Sequence, residues 1–264
     1  MKTIKPCNLL IFVILFCAKL NAQSFLKSYA SPFSATIPVS FECITEKTDP
    51  SGFRYIAGHT TGDSIVIFKT DNNGNLISQY RLFQIKINSR LDGIIIDSRG
   101  DLIVIGNYEY GGTAIGAFIF KYTPGNPTTT WFKEAGPDMA FTDIAEKPGP
   151  TPTYFVSGQS GISNGMILKV NGLTGALNSI IPSNYTVNGV ETATSLQLVG
   201  NIFHIAGRYA VGSSTAGFRS VYSRFNNAGH LGTKFYIKDS ALTDTARMYN
   251  SDILVSGTET VMVG

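Results

Sequence analysis

Residues 55–76 read YIAGHTTGDSIVIFKTDNNGNL. A short apolar run ends on Gly58, a small-residue loop follows, a second apolar run ends on Lys69, and an Asp/Asn/Gly turn closes the stretch. The same order returns three more times and begins a fourth. Its most regular mark is a glycine at the end of an apolar run, after a small residue in all but the second unit: YIAG (Gly58), IVIG (Gly106), FVSG (Gly158), HIAG (Gly207) and LVSG (Gly257). The gaps between these glycines are 48, 52, 49 and 50 residues. A period near fifty points to a propeller or a solenoid.

Each unit has four short strand candidates. The first strands are ECIT, DGIIID, TDIAEK, TSLQLV and ARMYN. Turns such as DPSG and DSRGD lead to the run that ends in glycine. A Gly/Ser/Thr loop then leads to a third run: SIVIFK, GAFIFK, GMILK or SVYSR. A fourth strand closes the unit in ISQYRLF, TTWFKEA and FYIKD, and is blurred in the third unit. Asn-Gly and Asp-Gly steps between such runs are hairpin signals, and Asn73-Gly74 reads as a two-residue turn. No apolar spacing of three and four persists long enough for a helix.

Four antiparallel strands per fifty residues make a β-propeller blade. IVIF (65–68) and LIVI (102–105) are apolar on consecutive residues, so both faces of the sheet need cover. Stacked blades supply it. The expected fold is therefore all-β, a propeller of four-stranded blades with about five visible. The expected boundaries are 37–85, 86–136, 137–184 and 185–237, with a partial unit at 238–264. Residues 23–36, containing SFLKSYA, resemble a fourth strand without its first three, and are expected to close the last blade. The last unit stops 7 residues after Gly257, so a fragment of a larger ring is the preferred reading over five closing blades.

Residues 1–22 carry Lys2 and Lys5, an apolar run from Leu9 to Ala18, and Asn21-Ala22 before Gln23. This is the pattern of a secretory signal peptide. The run is short for a membrane span, and no second span follows it. Phe16 stands where a lipobox before Cys17 needs a small residue. Three of the 21 basic residues and none of the 18 acidic ones precede Gln23, so the remaining chain carries equal numbers of each. A nucleic-acid partner needs a basic stripe, and none is visible. Cys43 alone remains after residue 22, which leaves no disulfide within the exported chain.

The stretch IVIFKTDNNGNLIS resembles the repeat of bacterial secreted β-propellers known as SBBP repeats. Lys69, Asp71, Gly74, Asn75 and Leu76 match that repeat. Lys169, Asn171, Gly175 and Leu177 match with one insertion, as do Arg224, Asn226, Gly229 and Leu231. Lys121 and Trp131 represent it in the second unit, and Ser78 stands where the first unit would carry the family's Trp. The resemblance implies a propeller in an exported or cell-surface bacterial protein, commonly one using type IX secretion with a C-terminal sorting domain. It implies no particular activity and no catalytic residues.

The chemical motifs are weak. Gly161-Ile162-Ser163-Asn164-Gly165 fits G-x-S-x-G, but a nucleophile elbow needs a following helix. Arg99-Gly100-Asp101 spells an adhesion tripeptide in a turn position. Asp71, Asn73 and Asn75 alternate oxygens, yet Gly74 and the missing Glu do not fit a calcium loop. His59, His204 and His230 are scattered and read as strand or turn residues. Asn184-Tyr185-Thr186 is a glycosylation sequon by pattern. Tyr108, Tyr110, Tyr209 and Tyr222 lie near inter-strand loops, where packing is the simpler role than stacking on sugars.

No catalytic, cofactor or metal residues are assigned, and no cofactor is expected. The first expectation is a binding or adhesion scaffold, secreted or on the outer cell surface, with a protein or carbohydrate ligand. The rival is a propeller enzyme of glycosidase or lyase type, for which Asp92, Asp143 and Asp244 are the carboxylates to inspect, since each precedes or opens a first strand. A third reading is a structural ring within a larger secreted protein.

Overall fold

In the computed structural model the chain forms nineteen strands among the described residues and no helix. Those residues are 39–45, 48–60, 64–84, 89–110, 114–124, 129–161, 164–182, 191–210, 218–226, 229–230, 235–237, 252–256 and 259–263. All lie within the unit Ser31–Gly264. Residues 1–22, expected as a signal peptide, residues 23–36, expected to close the last blade, and Ser163, Asn184 and Asp244 lie outside the described residues.

Blade 1 comprises β1 (Val39–Ile44), β2 (Arg54–Thr60), β3 (Ser64–Thr70) and β4 (Leu76–Gln84). Blade 2 comprises β5 (Arg90–Ile96), β6 (Leu102–Tyr110), β7 (Ala114–Tyr122) and β8 (Thr129–Pro137). Blade 3 comprises β9 (Met139–Lys147), β10 (Thr153–Ser160), β11 (Asn164–Asn171) and β12 (Leu177–Pro182). Each is an antiparallel meander in sequence order. The fourth strand of blade 3, blurred in the sequence, is therefore LNSIIP. Blade 4 has β13 (Glu191–Val199), β14 (Ile202–Ala210) and β15 (Phe218–Asn226), with β16 (Gly229–His230) and β17 (Phe235–Ile237) both pairing β15. Blade 5 is the hairpin β18 (Asp252–Ser256) and β19 (Glu259–Val263).

Consecutive apolar residues divide between the two faces as the period-two rule demands. Leu102 and Val104 pack with Tyr55, Ala57, Ile65 and Ile67 of blade 1. Ile103 and Ile105 pack with Phe141, Tyr154 and Val156 of blade 3. Phe155 and Ile167 turn to blade 4, where Phe155 meets Phe203 at 4.4 Å between ring centroids. Ala206 and Tyr222 face Ile253 and Val255 of blade 5. The first strands of blades 1 to 4 lie successively against one another. Sheets that meet face to face while their first strands converge are the blades of a propeller.

Trp131 is buried on β8, opposite Lys121, and Ser78 is opposite Lys69. Its indole Nε1 donates to Gly172 O at 3.3 Å, and its ring lies against Gly175, so this outer-strand residue fastens blade 2 to blade 3.

One turn design recurs at the far end of the blades. Asp49, Asp71 and Asp97 each accept backbone N–H bonds from residues two and four positions on, and Gly52, Gly74 and Gly100 follow with φ near +80°. Residues 71–75 thus form a five-residue loop between β3 and β4, not the two-residue turn expected at Asn73-Gly74. Asp71 is engaged by Asn75 through both backbone and side chain, which gives the alternating oxygens a local structural job.

His204 is buried on β14, and its Nδ1 lies 2.7 Å from Tyr222 Oη. Burial, then the charge of Arg224, lowers its pKa from 6.5. Below pH 6.5 the unfolded chain takes up a proton that the folded chain refuses, so stability falls as pH falls. We expect the urea midpoint of the wild type to drop between pH 7 and pH 5, and His204→Gln, which keeps a polar partner for Tyr222, to drop less.

Candidate functional site

Every first strand in blades 1 to 4 has a bulge opposite the repeat glycine. Phe41 pairs Gly58 while Cys43 pairs Ala57, which leaves Glu42 as the extra residue. Leu91 pairs Gly106 and Gly93 pairs Ile105, which leaves Asp92. The same accounting leaves Thr142 opposite Gly158 and Thr194 opposite Gly207. A bulge kinks its strand and re-aims the extra side chain. It also pushes the preceding carbonyl over the partner strand. A Cβ on Gly106 would lie 2.4 Å from Arg90 O, and one on Gly158 would lie 2.0 Å from Ala140 O. The fifty-residue glycine period is the trace of this bulge.

The bulges sit toward the start of the first strand, the end to which the second strand returns. The residue after each repeat glycine is polar there: His59, Asn107, Gln159 and Arg208. In blade 1, His59 Nδ1 is 3.2 Å from Glu42 Oε1, a close approach without hydrogen-bond alignment. Glu42 Oε2 accepts the Leu91 N–H of blade 2 at 2.6 Å. In blade 2, Asn107 Nδ2 donates to Asp92 Oδ2 at 2.5 Å. Arg90 Nε lies 3.1 Å from Asp92 Oδ1 and 3.3 Å from Oδ2. In blade 3, Thr142 Oγ1 donates to Ala193 O of blade 4 at 2.7 Å.

Two carboxylates from neighbouring first strands thus share one end of the fold with a histidine and an arginine. Both carboxylate side chains are 17% exposed. Burial pushes the Asp92 pKa up, Arg90 and the Asn107 hydrogen bond pull it back, and the charge of Glu42 adds to the rise. A carboxyl disposed to hold its proton beside a second carboxylate is an acid–base arrangement.

The other candidates separate from this site. Asp143 is one residue past its bulge, and its Oδ2 accepts the Leu196 N–H at 2.7 Å and the Ser195 hydroxyl at 3.1 Å. It staples blade 3 to blade 4. Asp101 of the Arg-Gly-Asp turn accepts Thr123 Oγ1 at 2.8 Å through Oδ1 and meets Lys121 Nζ at 2.6 Å through Oδ2, so both oxygens are taken within the fold. Tyr108 is buried, stacks on Phe118 and donates to Glu134. Tyr222 is committed to His204. The side chains of Tyr110, Tyr209 and His230 lie outside the described residues. Among the described residues no group of three His, Cys, Asp or Glu side chains is disposed to hold a metal. Among them, too, no helix is long and apolar enough to cross a membrane.

Glu42 belongs to no motif, and His59 reads in the sequence only as a scattered histidine. Glu42 opens the strand candidate ECIT, and only its place opposite Gly58 marks it. The readable signal is the pair formed by that opening polar residue and the polar residue after the glycine.

No protein-family model and no curated protein matches the chain. Similarity is found among solved structures, at the level of the fold. An α-L-arabinanase of Penicillium chrysogenum, complexed with arabinobiose, is 11% identical with a TM-score of 0.54, over 81% of this chain and 70% of that one. A protein of unknown function from Bacteroides caccae is 11% identical with a TM-score of 0.44, over 75% of this chain and 61% of that one. An exo-β-1,3-galactanase of Phanerochaete chrysosporium, with bound β-1,3-galactotriose, is 13% identical with a TM-score of 0.44, over 79% of this chain and 53% of that one. The chain thus spans between about half and 70% of the length of these three structures. The fold is that of a β-propeller, in agreement with the expectation from the glycine period. The particular repeat family suggested by the IVIFKTDNNGNLIS motif has no family-level match.

Proposed function

We propose that the protein is a glycan-directed propeller that hydrolyses glycosidic bonds at the Glu42–Asp92 site. The observation that carries this reading is the pair of carboxylates at equivalent bulges of adjacent first strands, with Asp92 pushed up by burial and by Glu42. The bound disaccharide of the arabinanase with the same fold supports a sugar as the ligand class. In the proposed step Asp92 gives its proton to the bridging oxygen as the anomeric C–O bond breaks. Water adds to the anomeric carbon and passes its proton to Glu42. The leader at residues 1–22 fits work outside the cytoplasm.

A second reading is non-catalytic carbohydrate binding. It is favoured by one observation: Glu42 already bonds the Leu91 N–H, and Asp92 already bonds Asn107. The two readings part in one experiment. The purified chain is incubated with arabinan, β-1,3-galactan and a panel of other polysaccharides, and new reducing ends are counted. Release that falls by about 10²–10⁴ in Asp92→Asn, with an unchanged melting curve, supports hydrolysis. Retention of a polysaccharide without release supports the scaffold, and neither retention nor release would end the glycan reading.

A further inference from the structure

Asn107 makes three side-chain hydrogen bonds at the site. It is buried at the second strand of blade 2, directly after the repeat glycine. Its Oδ1 accepts the Phe141 N–H at 2.7 Å, and its Nδ2 donates to Phe141 O at 2.7 Å. The side-chain amide is therefore paired with one backbone residue of blade 3 as a strand neighbour would be. The remaining Nδ2 hydrogen goes to Asp92 Oδ2. A flipped amide would set carbonyl against carbonyl and N–H against N–H at Phe141, losing two buried bonds.

We propose that Asn107 is the positioning residue of this site: locked by the Phe141 backbone, it can offer Asp92 only an N–H, which keeps Oδ2 an acceptor and leaves Oδ1 as the oxygen that carries the proton. Arg90 Nε adds a second hydrogen bond to the same oxygen, Oδ2, at 3.3 Å, and lies 3.1 Å from Oδ1, while the charge of Glu42 acts on Asp92 from blade 1. The inference builds on the proposed acid but needs no substrate to be tested. It also ties the acid to the seating of blade 3, because a shift of Phe141 would release the amide.

The test is NMR of the full chain with labelled Asp and Asn side chains. In the wild type, the Asp92 carboxyl carbon and the Asn107 Nδ2 protons should titrate with one shared midpoint, and the Phe141 amide should follow them. Asp92→Asn should flatten the Asn107 response. Asn107→Ser removes a hydrogen bond to the charged carboxylate, so the Asp92 midpoint should move further up, by about half a unit or more. If Asn107→Ser does not fold, the wild-type titration still decides. A flat Asn107 amide while Asp92 titrates overturns the proposal, as does an unmoved Asp92 midpoint in a folded Asn107→Ser. Loss of hydrolysis or glycan retention with these titrations intact would overturn the proposed function and leave this inference standing.

Discussion

Gly158→Ala is expected to destabilise the protein by about 3 kcal/mol, the upper end of ordinary overpacking. The added methyl would lie 2.0 Å from Ala140 O, 3.0 Å from Ala140 C and 3.1 Å from Phe141 Cα, all of them backbone atoms of the bulged strand. A flexible side chain could turn away from such a contact. A peptide held by ladder bonds on β9, and gripped at Phe141 by Asn107, cannot do so without opening the bulge. For a domain of this size that cost lowers Tm by about 6–12 °C. Gly149→Ala is the matched control, since its new methyl would meet nothing nearer than Thr151 O at 3.8 Å. Scanning calorimetry of the two variants checks the claim. Equal melting temperatures would mean that the repeat glycines mark turns or composition and not the bulge.

The same geometry explains what could be read in the sequence and what could not. The glycine period was visible because a steric demand recurs once per blade. The alternation of LIVI was visible because each of its residues has a different blade to face. The bulge was not visible. It is a difference in count between two strands, and the intervening turns vary from DSRGD to KPGPTPT. Counted back from the glycine, Asp92 stands at 14 residues and Asp143 at 15, and in the sequence both precede or open a first strand. One residue along a strand reverses the face. Asp92 therefore joins Glu42, while Asp143 is spent on the Leu196 N–H. Aligned on the bulge, the extra residues are Glu42, Asp92, Thr142 and Thr194, at steps of 50, 50 and 52. His59 looked scattered for a similar reason: its partner lies on the neighbouring strand, 17 residues back in the chain.

Lys121→Met is the second large effect expected, at about 3–5 kcal/mol, and Lys69→Met is expected to cost no more than about 1–2 kcal/mol. These two lysines hold the same place in the repeat motif, so a role in shared chemistry would predict similar behaviour. Their surroundings predict otherwise. Lys121 is 5% exposed, with Nζ 2.6 Å from Asp101 Oδ2 and 3.6 Å from an Asp97 carboxylate that is fully buried. Asp97 also accepts the Tyr154 hydroxyl from blade 3 at 2.7 Å, and burial, then that bond, holds the tyrosine above its ordinary range. Removing the ammonium leaves two carboxylates facing each other beside a buried phenol. Lys69 is 20% exposed, 3.7 Å from Asp49, and rests 4.1 Å over the Phe53 ring, so water can replace much of what it offers. Urea unfolding of both variants decides between these accounts, and Lys121→Met combined with Asp97→Asn and Asp101→Asn should recover part of the loss by removing the stranded charges. If Lys121 and Lys69 cost the same, the motif lysine is not graded by burial and the network across blades 2 and 3 carries little. If they differ as expected, the most recognisable letters of the repeat are fasteners for the Asp-x-x-Gly turns at one end of blades 1 and 2. Glu42 and Asp92 then belong to the opposite end, where the motif is silent.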